Sequence, residues 1–337
     1  MPEPGRVVLA AKIAPQRSTQ YAALASALAT PELRLSPLGP AIAAVRPVAL
    51  AGQAYLLLEL ACPPESAALN ALWQMGATSE FFWYHERIGE AQGPFLQPIE
   101  AAWAPELPPE LAEARRYRGK TNELFSRVLV NLARWAHRGD PRVLLDPLMG
   151  GGTLLFIALT LGLDALGIEH NRQDVESTDA FLRGFLTEAR IRVQRREERA
   201  QGARRITFSI RPAPGAPLRT AVLVHGDATE APRLLANLSR TLRPDLIAGD
   251  LPYGIQHRGQ LEPLLAAALP AWHAVAHEDA VLALAWDATH VPRPAMLEMV
   301  EAGGRWSALH GGAWEELAHP VDRVIKRRDV IVARRLP

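Results

Sequence analysis

Residues 143–155 read VLLDPLMGGGTLL. An apolar run stops at Asp146-Pro147, three glycines follow at 150–152, and Thr153 opens a second apolar run. That order spells a buried strand, a tight turn and a helix. Glycines let the backbone come close to a ligand, and the first turn of a helix presents unpaired N–H groups to a carboxylate or phosphate. A glycine cluster alone marks no more than a turn. Its place between a strand and a helix makes Asp146, Gly150, Gly152 and Thr153 candidates for holding a small ligand. A dinucleotide fingerprint needs its third glycine at position 155, where Leu155 stands, so a nicotinamide cofactor is disfavoured.

Downstream, short apolar runs alternate with helix-like segments: DALGIE with VESTDAFLRGFLTEA, AVLVHGD with EAPRLLANLSRTL, DLIAGD with LEPLLAAALPAWHAVA, then AVLALAWD. Such alternation predicts an α/β fold, a parallel sheet covered by helices on both faces. RWSALHG and RDVIVARR then finish the chain as two strands with no helix between them, a terminal antiparallel hairpin. Beyond the turn at Asp146, the next two strands end in acids as well, Glu169 and then Asp227 (followed by Ala228), which makes three strand-end sites. An acid at the position of Glu169 can accept hydrogen bonds from ribose hydroxyls, and one at that of Asp227 from an adenine amino group. The plain alternative for each is an exposed acid at a strand end. In series, at carboxyl ends of parallel strands, they describe one crevice at a switch point.

Upstream, residues 1–90 mix strand and helix signals. RVVLAAKIA reads as a strand and STQYAALASALAT as a helix capped by Ser18 or Thr19. AIAAVRPVAL and QAYLLLEL read as strands joined around Ala51-Gly52, PESAALNALWQMG as a helix and SEFFWYHERI as a last strand. The order βαββαβ is the ferredoxin-like pattern, beside the plainer reading of an unclassified α+β module. Residues 91–116, rich in proline and aperiodic, read as a linker, which leaves 117–337 as the α/β domain.

The chain of 337 residues, 48% hydrophobic, is long enough for two domains with real cores. Its formal net charge of +1 gives no global attraction to nucleic acid, so local clusters must supply any. One cysteine, Cys62, excludes an internal disulfide framework and a thiolate zinc cluster. It suits a reducing cytoplasm and reads as a buried small hydrophobe. No signal-like segment and no membrane-length apolar run is present, so a soluble, cytoplasmic protein is expected.

Taken together, DPLMGGGT, GIE, GDA and DLPYG resemble the motifs of the class I S-adenosylmethionine-dependent methyltransferases. Within that class they resemble the amino-methylating branch, whose fourth motif has the form D/N-P-P-Y/F. The chain is most similar to the guanosine-N2 tRNA methyltransferases that usually carry a THUMP domain, in a THUMP-less bacterial form. YRGKTNELFSRVLVNLA, with LVNLA at Leu129–Ala133, belongs to the resemblance, which covers about residues 117–335. Leu251 stands where the fourth motif has its first proline, as in related guanosine enzymes similar to D-L/M-P-F/Y. The region before Tyr117 is too short for both a ferredoxin-like module and THUMP.

The resemblance implies a Rossmann-like methyltransferase sheet ending in an antiparallel hairpin, with S-adenosylmethionine as cofactor. It places the methionine end at Asp146 and Gly150–Thr153, the ribose at Glu169 and the adenine at Asp227-Ala228. Asp250 then borders both cofactor and substrate. The resemblance also implies RNA as partner, tRNA first among RNAs, and a reaction that needs no metal. In such a site Asp250 accepts one hydrogen of a base amino group and the Leu251 carbonyl the other. Pro252 stiffens the loop, Tyr253 stacks on the base and Gly254 leaves room for it.

Other features are weaker. Residues 183–212 are rich in arginine, interspersed with Glu188, Glu197 and Glu198, and read as a solvated helix face or as a phosphate-tracking arm through Arg195 and Arg196. KRRD at 326–329 offers Lys326 and Arg327 to an RNA backbone. His273 and His277 have the spacing of metal ligands but no neighbouring ligand cluster, and read as structural. Trp83 reads as a core anchor or as part of a nucleic-acid surface. The competing functions are a DNA adenine or cytosine amino-methyltransferase, a protein glutamine methyltransferase, which lacks YRGKTNE, and a catalytically silent RNA-binding partner. Intact Asp250 and Tyr253 argue against the last.

Overall fold

A computed structural model describes residues 7–16, 19–100, 102–115, 120–252, 261–321 and 326–337. The N-terminal elements are β1 (Val7–Ile13), α1 (Thr19–Leu35), β2 (Ile42–Leu50), β3 (Gln53–Leu60), α2 (Ser66–Leu72) and β4 (Thr78–Ile88). Strands β2-β3-β1-β4 lie side by side, every pairing antiparallel. This is the split βαβ arrangement of the ferredoxin-like pattern. Ser18, one of the two expected caps of α1, lies outside the described residues.

The expected linker is not a linker. Its first part is β5 (Ala91–Pro98), which pairs with β4 and makes a fifth strand. Pro94 and Pro98 disguise it, but on the outermost strand missing N–H groups cost no ladder bond. Its second part carries α3 (Glu110–Glu113) and buries Leu107, Leu111 and Ala112. Glu106 is held by Arg219 at 2.5 and 2.6 Å.

The larger domain runs α4 (Glu123–Ala136), β6 (Val143–Asp146), α5 (Thr153–Thr160), β7 (Asp164–Glu169), α6 (Arg172–Glu188), β8 (Arg192–Ala200) and β9 (Ala203–Arg211). It continues with β10 (Arg219–His225), α7 (Ala231–Leu234), β11 (Leu246–Asp250), α8 (Leu261–Val275), β12 (Val281–Asp287), α9 (Arg293–Glu301), β13 (Trp306–Ala308) and β14 (Arg328–Arg335). The sheet order is β13-β14-β12-β11-β6-β7-β10-β9-β8. Its centre, β12-β11-β6-β7-β10, is parallel. The terminal hairpin is present: β14 pairs antiparallel with both β12 and β13.

Two expectations fail. Past Glu188, where α6 ends, the arginine-rich stretch is no helix but the hairpin β8–β9, added antiparallel to β10 at the sheet edge. Its inner strand buries Ile206, Phe208 and Ile210 at alternate positions, the period of a strand. The helix expected over EAPRLLANLSRTL shrinks to α7, ended where Asn237 takes a left-handed φ of 63°.

Helix α5, TLLFIALT, is apolar all round and accordingly buried at every position. It lies under α4, whose own start is capped by the Asn122 side chain accepting from the Phe125 N–H at 3.1 Å. Helix α4 packs on β11 and β12 and, on its other side, on α1. One hydrophobic core therefore runs from Leu24, Leu28 and Leu33 through Val128 and Leu132 to Leu155 and Leu246. At the seam, buried Glu32 accepts from the Gly76 N–H at 2.8 Å, the Ala77 N–H at 2.7 Å and Asn131 Nδ2 at 3.1 Å. Cys62, expected inside, is exposed in the turn before α2. Trp83 is half-buried against the core, and His273 is engaged by the Leu336 carbonyl at 2.9 Å.

Candidate active site

The neighbours β6 and β11 run in parallel, and the chain leaves β6 for β7 on the side away from β11. A crevice opens where strand order reverses in this way, at the carboxyl ends. Asp146 ends β6, Glu169 ends β7 and Asp250 ends β11, so the fold brings the three acids together. Asp227 follows β10 and extends the same rim.

The glycine turn is built as a cradle. Gly150 and Gly152 have φ of 50° and 83°, a region that L side chains rarely adopt. A Cβ on Gly152 would press on Thr178 and the Phe156 ring, whereas one on Gly150 would project into open space. Thr153 opens α5 and is buried. Glu169 ties the turn down: its Oε2 accepts from the Gly150 N–H at 2.8 Å and its Oε1 from the Asn171 N–H at 2.7 Å. Asp227 accepts from the N–H and the hydroxyl of Thr229 at 2.8 and 2.7 Å, and these bonds hold its carboxyl below the usual range. Ala228 is buried, its carbonyl taken by Trp272 Nε1 at 3.1 Å.

Asp146 is almost fully buried and accepts from the Leu148 N–H at 3.1 Å. Burial, with Glu169 and Asp250 as like charges nearby, pushes its carboxyl up to about 8. The folded value thus lies above the unfolded one. The stability it confers is complete below about pH 4 and is lost as the pH rises through 8. Asp146→Asn, which cannot ionise, is expected to melt progressively higher than wild type between pH 5 and 9. Parallel melting curves across that range would refute the assignment.

At the end of β11, Leu251 is buried and donates its N–H to the Ala285 carbonyl at 2.8 Å, while Pro252 is exposed. Tyr253 and Gly254 lie outside the described residues. Asp250 Oδ2 accepts from Thr121 Oγ1 at 2.9 Å and lies 3.4 Å from Arg328 Nη2. Neither partner was expected. Thr121 sits within YRGKTNE, and Arg328 within KRRD, where a contact with RNA backbone was the reading. The structure divides that run: Lys326 and Arg327 are exposed, Arg328 and Asp329 buried. A third unforeseen residue, Arg115, donates to the Gly151 carbonyl and to Thr178 Oγ1 and Ser177 Oγ, both at 2.7 Å. Of the hairpin arginines, Arg195 is bound by Asp179 at 2.7 and 2.8 Å and by Glu197 at 2.6 Å, and Arg196 is exposed beside Glu198 at 3.0 Å. Neither arginine is brought near the crevice acids by these contacts.

A parallel sheet with a terminal antiparallel hairpin, a glycine cradle and acids at successive strand ends defines a class I methyltransferase domain. A family model, "UPF0020: RMKL-like, methyltransferase domain", matches residues 113–301, more than half of the chain. The chain belongs to that family. No curated protein matches the sequence. Among solved structures, TrmN from Thermus thermophilus aligns at 18% identity and TM-score 0.43 over 87% of this chain, which spans 59% of TrmN. The rRNA methyltransferase aviRa from Streptomyces viridochromogenes aligns at 18% identity and TM-score 0.42, over 65% of this chain and 88% of that one. An rRNA methylase from Streptococcus thermophilus aligns at 12% and 0.34, over 59% and 89%.

The cofactor is S-adenosylmethionine, and the crevice suits it. Three crowded acids, one with its carboxyl pushed up, favour a ligand bearing positive charge. The open space beside Gly150 leaves the turn accessible to that ligand.

Proposed function

We propose that this protein methylates an exocyclic amino group of a nucleobase in RNA, guanosine N2 in tRNA being the substrate that its motifs favour. The observation that carries the reading is Asp250, fixed by Thr121 and Arg328 at the switch point beside the glycine cradle. Bound in the cradle, S-adenosylmethionine supplies an electrophilic methyl on a sulfonium. Asp250 and the Leu251 carbonyl hold the two amino hydrogens, so that the nitrogen lone pair faces the methyl. The C–N bond would form as the C–S bond breaks, with the sulfonium sulfur taking the electron pair as the leaving group. The methylated nitrogen then gives up one proton to Asp250 or to water. Tyr253 stacks on the base displaced from its neighbours, and Gly254 leaves it room. Lys326 and Arg327, exposed beside the crevice strand β14, and Arg196 on the hairpin are the basic side chains offered to the RNA backbone. Among the described residues no helix is long and apolar enough to cross a membrane.

The test is methyl transfer from labelled cofactor into RNA, with the product nucleoside identified by mass spectrometry. N2-methylguanosine is expected; methylation of a ring carbon overturns the reading. Cofactor binding is tested separately. Glu169→Ala removes the acceptor assigned to the ribose and also releases Gly150, so calorimetry should show affinity weakened by about 1.5–3 kcal/mol. Unchanged affinity would reject the ribose position.

A further inference from the structure

Arg328 opens β14 and its side chain is 4% exposed. A guanidinium is removed from water at considerable cost unless it is matched by charge and packing. Both are present. Its carbon lies 4.5 Å from the centroid of the Phe125 ring, a cation–π stack on the first turn of α4. Phe125 in turn leans on the imidazole of His319, at 5.0 Å between centroids. His319 is buried and held down to about 3, chiefly by burial, so it adds no second positive charge. The backbones of His319 and Arg328 exchange two hydrogen bonds, at 2.8 and 2.9 Å, which fix where the arginine starts. Its Nη2 ends 3.4 Å from Asp250 Oδ2.

The charged groups around Asp250 make this placement consequential. Asp146, its carboxyl pushed up to about 8 and so neutral near pH 7, faces it from β6, with the Glu169 carboxyl behind on β7. Thr121, before α4, offers a neutral hydroxyl, and Arg328 supplies positive charge from β14. We propose that Arg328 is a positioning residue for methyl transfer: through its ion pair it holds the Asp250 carboxylate turned as an acceptor for the substrate amino group. The proposal rests on the role assigned to Asp250 above. An ionised carboxylate can only accept, whereas a protonated one offers a donor where the amine also donates. Arg328 acts through Asp250 and touches neither substrate nor cofactor in this role.

The test compares Arg328→Gln and Arg328→Lys with wild type. Turnover of Arg328→Gln should fall about tenfold or more, with the KM for RNA and the cofactor Kd little changed. Arg328→Lys, which keeps a positive charge, should restore part of the lost turnover. A merely structural arginine would lower melting temperature and active fraction but leave turnover per active molecule and its KM-against-kcat split in place. The second measurement needs no turnover. The carbon-13 signal of the Asp250 side-chain carboxyl is followed through a pH titration in wild type and in Arg328→Gln, which removes the positive charge that faces Asp250 and keeps a polar side chain of similar reach. A different midpoint or chemical shift in the two proteins is expected. Identical titrations overturn the proposal, whatever atom is methylated. Methylation at a ring carbon with differing titrations overturns the function of Asp250 instead and leaves its coupling to Arg328 standing.

Discussion

Asp250→Asn should bind S-adenosylmethionine nearly as wild type does and yet turn over about three orders of magnitude more slowly. Each order corresponds to ~1.4 kcal/mol of transition-state stabilisation. The amide keeps the shape and one acceptor oxygen but loses the charge, and its NH2 points a donor into a site that must receive amino hydrogens. Alanine is the poorer choice. It removes the accepting oxygen as well as the charge that faces Arg328, whose side chain is only 4% exposed, and a buried guanidinium with neither destabilises the fold more than one that keeps an amide oxygen. The comparison is therefore between wild type and Asp250→Asn at matched melting temperature, by single-turnover transfer of labelled methyl. Full activity in the asparagine variant would remove Asp250 from the chemistry.

The second large effect concerns the seam between the domains. Glu32 receives two backbone N–H groups and the Asn131 amide, all away from water. Glu32→Ala leaves three buried donors without their acceptor, each costing ~1–3 kcal/mol. Relaxation and water entry recover part of this, so a net loss of about 3–5 kcal/mol is expected. Because α1 and α4 share one core, the loss should appear as a single, lower melting transition for the whole chain rather than as release of the N-terminal module. Two separated transitions in calorimetry would show instead that the domains unfold independently.

The central strands, the glycine turn and the strand-end acids were legible because each is a local pattern: an apolar run, then residues with special backbone or charge requirements. The βαββαβ order was legible for the same reason. What escaped was of two kinds. Strand β5 and hairpin β8–β9 were hidden by residues usually counted against strands, Pro94 and Pro98 in one and a run of arginines and glutamates in the other. At a sheet edge those residues are tolerated, and the apolar alternation Ile206, Phe208, Ile210 on the inner strand was the signal to follow. The partners of Asp250 escaped because the pairing is not local. Thr121 lies 129 residues away in sequence, and Arg328 stands beside two exposed basic residues of the same appearance. Only the strand register turns one of them inward. Arg195 reads in the sequence as part of a solvated helix face or of a phosphate-tracking arm, but the hairpin places it between two carboxylates.

The outer margins of the two sheets have a consequence for the protein in a crowded cell. An exposed strand margin is a template on which another chain can grow, and among the described residues there are four. On β2 the ladder is interrupted by Pro47, and on β5 by Pro94 and Pro98. The fragment β13 is three residues long, too short to seed a partner. The margin β8 spans nine residues and carries charges of both signs, with Arg196 beside Glu198 and Arg195 beside Glu197. An incoming strand meets proline, brevity or fixed opposite charges at every one of these margins. The residues that made β5 and β8 hard to recognise as strands are thus the ones that keep the folded molecule from polymerising.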